Sequence, residues 1–142
     1  MALEIQETVS LDNSNVQDEL KELIPSLLGN GIRVFYDPNS AITQTANFVY
    51  LERGGNIAHL YYVPSGYAVA FPIKPSRDVG FGIAMIDYGD RDKDHTTLDI
   101  QEALEACDRA LQSEMENWLN GKTYPNYGHE GICVPVFEIV ES

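Results

Sequence analysis

FVYLERGGNIAHLYYVPSGYAVAFPIKPSRDVGFGIAMI, residues 48–86, decides how this chain folds. Three extended apolar runs, Phe48 to Glu52, Asn56 to Val63 and Tyr67 to Ile73, are separated by Gly54-Gly55 and by Pro64-Ser65-Gly66, and a fourth run, Phe81 to Ile86, follows a loop. A Gly-Gly pair between β-rich runs suits a two-residue hairpin, because primed turns need positive φ and glycine reaches it without a Cβ clash. Arg53 is then expected opposite Asn56, Leu51 opposite Ala58 and Val49 opposite Leu60. Pro64 presets φ for a turn, and Gly66 suits the left-handed position that closes a three-residue loop. That loop pairs Val63 with Tyr67, Tyr62 with Ala68 and Leu60 with Ala70.

Alternation along the strands sorts these residues onto two faces. One is expected to carry Val49, Leu51, Ala58, Leu60, Tyr62, Ala68 and Ala70, small enough in part for a helix to approach closely. The other carries Phe48, Tyr50, Ile57, His59, Tyr61, Tyr67, Val69, Phe71 and Ile73. A second loop one residue shorter moves Val69 and Phe71 to the first face. Pro72 cannot donate to a ladder and marks a strand end or an outer strand.

Helical signals flank the meander. Ser14, with Gln17 three residues on, offers a capping box, and Val16, Leu20, Leu23, Ile24, Leu27 and Leu28 form an apolar stripe, predicting a helix over about 14–28. Pro25 predicts a kink or restart, and Gly29-Asn30-Gly31 an end. A second and longer helix is expected over about 97–120, capped by Thr96 or Thr97 with Asp99 in its first turn. Its stripe is Ile100, Ala103, Leu104, Cys107, Leu111, Met115 and Trp118. Strands are expected near 32–36 and 132–140, with Pro135 suggesting an edge position for the latter, and Met1 to Leu11 reads as an outer strand or ordered tail. The predicted fold is therefore α+β: one domain over 1–142 with a single antiparallel sheet packed by two helices.

The net charge is −13, and it is unevenly placed. Residues 1–30 carry six acids and one base, residues 31–86 three acids and four bases, and residues 87–120 ten acids and three bases. Direct binding to a nucleic-acid backbone needs clustered Lys and Arg and is disfavoured, whereas a basic protein partner suits this field. Cys107 and Cys133 form no CxxC, which disfavours a disulfide framework or a thiolate zinc site. No signal-peptide pattern opens the sequence and no stretch of about 18 apolar residues occurs, so a cytoplasmic setting without membrane insertion is expected.

Three candidate sites emerge. Asp90, Asp92 and Asp94 alternate ahead of the second helix and could converge on a hard cation. The spacing resembles the opening of an EF-hand loop, but His95 replaces the sixth-position glycine and Gln101 the bidentate glutamate, so a solvated acidic loop explains it as well. Lys74 and Arg77 beside glycines could hold a small anionic ligand, with Tyr50, His59 and Tyr61 supplying an aromatic wall; no P-loop pattern is present. The third is the acidic surface itself, with Asp90, Asp92, Asp94, Glu102, Glu105 and Glu116 as partner-binding residues. No catalytic motif and no cofactor is read from the sequence: His59, His95 and His129 are scattered, and Cys107 lies in an apolar stripe where a thiol is inert. The leading expectation is a non-enzymatic acidic protein that engages a basic partner, of the inhibitor, immunity or counter-defence type, nucleic-acid mimicry included. The alternative is a small-molecule or nucleotide-binding module on the aromatic face.

Overall fold

The computed structural model describes residues 2–41, 44–64, 66–72, 84–87, 98–112, 114–116, 123–125 and 133–142. The Gly-Gly hairpin forms as its chemistry requires. Strands β3 (Phe48–Arg53) and β4 (Asn56–Val63) pair Arg53 with Asn56, Leu51 with Ala58 and Val49 with Leu60. Gly54 and Gly55 have φ of 62° and 85°, the double positive φ of a primed turn.

The next turn is one residue tighter than a glycine-closed loop predicts. Val63 pairs with Gly66, so Tyr62 meets Tyr67 and Leu60 meets Val69. A one-residue slip exchanges every side chain between faces. Tyr67, Val69 and Phe71 of β5 (Gly66–Pro72) therefore join Val49, Leu51, Ala58 and Leu60 in the main core, and Ala68 and Ala70 move to the aromatic face. β5 is described as far as Pro72.

The remaining strands are β1 (Ala2–Ser10), β2 (Arg33–Tyr36), β6 (Ala84–Asp87), β7 (Glu114–Glu116), β8 (Thr123–Pro125) and β9 (Cys133–Val140). Among the described residues, seven of them form one sheet in the order β1-β9-β2-β3-β4-β5-β6. Its pairings are antiparallel except that β1 runs parallel to β9, so the sheet is mixed rather than wholly antiparallel. β9 is an inner strand between β1 and β2, not an edge. Pro135 is tolerated there because β2 reaches only Phe137, Glu138 and Ile139, which leaves Pro135 beside β1 alone.

Helix α1 spans Asp18–Gly29, starting later than Ser14. The Ser14 hydroxyl instead donates to the Leu11 carbonyl at 2.7 Å, and Gln17 occupies the cap position without a side-chain cap bond. Leu20, Leu23, Ile24 and Leu27 recur on one stripe and are fully buried. Pro25 lies on the exposed side, where water can satisfy the carbonyl it leaves without a donor. At the C-terminus Ile32 N–H donates to the Leu27 carbonyl and Gly31 N–H to that of Leu28, both at 3.1 Å, with Gly31 at φ 76°. This is the Schellman arrangement, and buried Ile32 packs in the same core as Leu27.

Helix α2 spans Ile100–Ala110, much shorter than 97–120. Asp99 itself is the N-cap rather than a first-turn residue, in a reciprocal capping box with Glu102. Leu111 caps the other end, and beyond it the chain turns to strand: β7 pairs with β8 in a separate two-stranded sheet, Met115 opposite Tyr124. Both helices pack on the same face of the large sheet, where the core lies. The close approach of α2 comes from the helix, not the sheet. Ala103, Ala106, Cys107 and Ala110 form its buried stripe against the larger Tyr67, Val69 and Phe71. Among the described residues no helix is long and apolar enough to cross a membrane.

Candidate functional site

Two surfaces hold the residues singled out from the sequence. The first is the sheet face opposite the helices. Correct register across β3 and β4 sets Phe48 opposite Tyr61 and Tyr50 opposite His59, so four rings from alternate positions meet. Phe48 stacks on Tyr61 with centroids 5.4 Å apart, and Tyr50 meets His59 edge-on at 4.9 Å. Phe48 also meets Tyr50 edge-on at 5.3 Å. The His59 Nδ1 lies 3.2 Å from the Tyr61 hydroxyl. Tyr50 and His59 are each only 8% exposed, and Phe48 and Tyr61 are half-buried. Burial pushes the Tyr50 hydroxyl up to about 12, with the negative charge of Asp37 and the neighbouring Tyr61 acting in the same direction.

Sequence reasoning missed how this face continues. Phe35, on β2 opposite Tyr50, and Val136 on β9 complete a second, smaller apolar cluster with Leu3, Phe48 and Val134 packed against it. Arg33 lies 5.2 Å above the Phe35 ring and forks onto Glu138, Nε to Oε2 at 3.0 Å and Nη2 to Oε1 at 2.8 Å. Only the long-range pairing of β2 with β9 brings these two charges together, and no local pattern signals it. The rings thus fill one another's space, and the only imidazole among them is held within an aromatic cluster. Lys74 and Arg77, the cationic half of the expected ligand site, lie outside the described residues.

The second surface is the solvent side of the helical layer. Asp18 and Glu22 of α1 and Glu102, Glu105 and Asp108 of α2 are exposed there. The cap interactions hold Glu102: its Oε1 accepts from the Asp99 N–H at 3.1 Å, and its own N–H donates to Asp99 Oδ1 at 2.8 Å. Glu105 accepts from Gln101 Nε2 at 3.3 Å. Asp108 pairs with Arg53 at 2.7 Å and ties the end of the β3–β4 hairpin to α2; both groups meet water, so the pair adds about 0.5 kcal/mol. Glu116 is not on this helix but in β7, and Asp90, Asp92 and Asp94 lie outside the described residues. Among the described residues no group of His, Cys, Asp or Glu is arranged to hold a metal ion.

A cleft of about 240 Å³ opens at the start of α1, lined by Val16, Gln17, Asp18, Glu19, Thr45 and Tyr62. Gln17 Oε1 is buried there without a hydrogen-bond partner among the described residues. The bridge between Val16 and Ala46 joins the start of α1 to the segment that carries Thr45, and that contact has no local sequence signal. Compared with known proteins, the chain matches no family model, no curated protein and no solved structure.

Proposed function

We propose that the protein is a non-enzymatic binding protein whose acidic helical layer engages a basic partner protein. The observation that carries this reading is that Asp18, Glu22, Glu102, Glu105 and Asp108 all lie exposed on the one layer formed by α1 and α2. Carboxylates so placed attract a cationic surface, steer its approach and discriminate against anionic partners. Asp90, Asp92 and Asp94, which precede α2 in the sequence, are included in the proposal on sequence alone. An inhibitor or immunity role, in which carboxylates occupy the places of phosphates, follows from the same chemistry. The aromatic face supports a ligand-binding reading less well, because Tyr50 and His59 are buried against each other's rings.

The test is affinity for a partner recovered by pull-down, measured over a salt series. Screening weakens contacts between exposed charges, so affinity should fall steeply from low to physiological ionic strength. Asp18→Asn, Glu22→Gln and Glu105→Gln combined should flatten that dependence and weaken binding about tenfold or more. Salt-independent binding, or binding indifferent to these substitutions, removes the electrostatic premise.

A further inference from the structure

One edge of the large sheet is β1, a nine-residue strand joined only to β9 among the described residues. Edge strands present unpaired N–H and C=O groups, and proteins guard them with short length, Pro, charged side chains, bulges or a covering element; β1 has two glutamates and one bulge, and the glutamates that repel an acidic strand attract a basic one. The sequence of β1, ALEIQETVS, contains neither Lys nor Pro. Five consecutive residues, Glu4, Ile5, Gln6, Glu7 and Thr8, are exposed, with Ile5 at 43%. A strand whose successive residues all meet water has both faces and one edge in solvent.

The pairing of β1 with β9 contains an irregularity that gives this edge a chemical character. Glu4 aligns with Pro135 and Ile5 with Val136, but Glu7 aligns with Phe137, so Gln6 is an extra residue on β1. A bulge of this kind shifts the alternation by one. Glu4 and Glu7, three positions apart, therefore fall on the same face of the strand, with Val9, while Leu3 and Ile5 lie on the opposite face. Without the extra residue they would alternate.

We propose that the β1 edge is a docking site for an extended segment of a partner protein that alternates basic and apolar side chains. Main-chain hydrogen bonds along β1 supply the affinity, as in strand addition generally, and side chains at alternate positions supply the selectivity. Basic side chains on one face of the incoming strand meet Glu4 and Glu7, and apolar ones on the other meet Leu3 and Ile5. A second copy of this chain fits poorly. Its own β1 would bring Glu4 and Glu7 towards the same carboxylates, and like charges on paired strands are destabilising, in a chain already at −13. β1 lies at the opposite end of the strand order from α2, and β9 separates it from β2, against which α1 packs, so the proposal rests on the strand edge rather than on the helical layer.

The probe is a blocked peptide as long as β1 that alternates lysine and valine, titrated into the full chain and followed by amide shifts and hydrogen exchange. The expected result is shift changes and slowed exchange within residues 3–9. A peptide of equal charge with two valines replaced by proline should bind at least about tenfold more weakly, because proline cannot donate to the ladder. Glu4→Lys with Glu7→Lys should weaken binding about tenfold, converting two attractive cross-strand pairs into repulsive ones. Asp18→Asn with Glu105→Gln should leave this binding unchanged. Equal binding of the proline peptide overturns the proposal. So do shifts that map to α1 and α2 instead of β1, and concentration-dependent dimerisation through β1 in sedimentation.

Discussion

The Asp99–Glu102 capping box lets charge be separated from stability on the proposed binding surface. Asp99 Oδ1 satisfies the Glu102 N–H, and Glu102 Oε1 satisfies the Asp99 N–H, so two otherwise orphaned donors at the start of α2 are paired reciprocally. Asp99→Ala removes the first bond and is expected to destabilise by about 1 kcal/mol. In a chain of this length that lowers Tm by about 3 °C. Glu102→Ala removes the second bond and should cost about 0.5–1 kcal/mol. Glu102→Gln keeps an acceptor oxygen at the same place and loses only the favourable interaction of a negative charge with the helix N-terminus, about 0.3 kcal/mol. Urea unfolding followed by circular dichroism, with all variants at one ionic strength, gives the three values. The reasoning is refuted if Glu102→Gln costs as much as Glu102→Ala, or if Asp99→Ala leaves the midpoint within error of the parent. If the order holds, Glu102→Gln is the substitution to use when neutralising α2, because any loss of binding then reports on charge.

Three further outcomes can be checked. Tyr67→Phe deletes a buried hydroxyl that donates to the Glu19 carbonyl at 2.8 Å, and should destabilise by about 1 kcal/mol in denaturant unfolding. Gly31→Ala should cost about 1 kcal/mol through its φ of 76° alone, since a Cβ there meets no atom within 4 Å; Gly31→Asn should cost less. The Tyr50 hydroxyl is raised from 10.0 to about 12, so its contribution to stability is fully present below pH 10 and is lost as pH rises towards about 12. Ultraviolet titration should accordingly show one fewer late-ionising tyrosine in Tyr50→Phe than in the parent.

The meander was legible because its punctuation is local. Gly54 and Gly55 can be adjacent at positive φ in few other settings, and the register of β3 on β4 follows from them. Pro64-Ser65-Gly66 allows two loop lengths, and nothing within the three residues chooses between them; packing of Val69 and Phe71 against α2 does. Leu111, Met115 and Trp118 continue the helical period of α2, yet Met115 lies in β7, where pairing with Tyr124 overrides intrinsic preference. The aromatic quartet could be read as soon as β3 and β4 were aligned. Phe35, Val136 and the Arg33–Glu138 fork could not, because they depend on strands brought together from distant parts of the chain.

The parallel seam of β1 and β9 brings Glu4 beside Cys133, 129 positions away. Closing so long a loop carries an entropic penalty that local hairpins avoid, so the hairpins are able to assemble first and the seam to zip last. Until it does, β9 has a bare flank carrying Val134 and Val136. A chain with β1 removed is therefore expected to show water an outermost strand that is more apolar, and more prone to wrong pairing, than β1 itself.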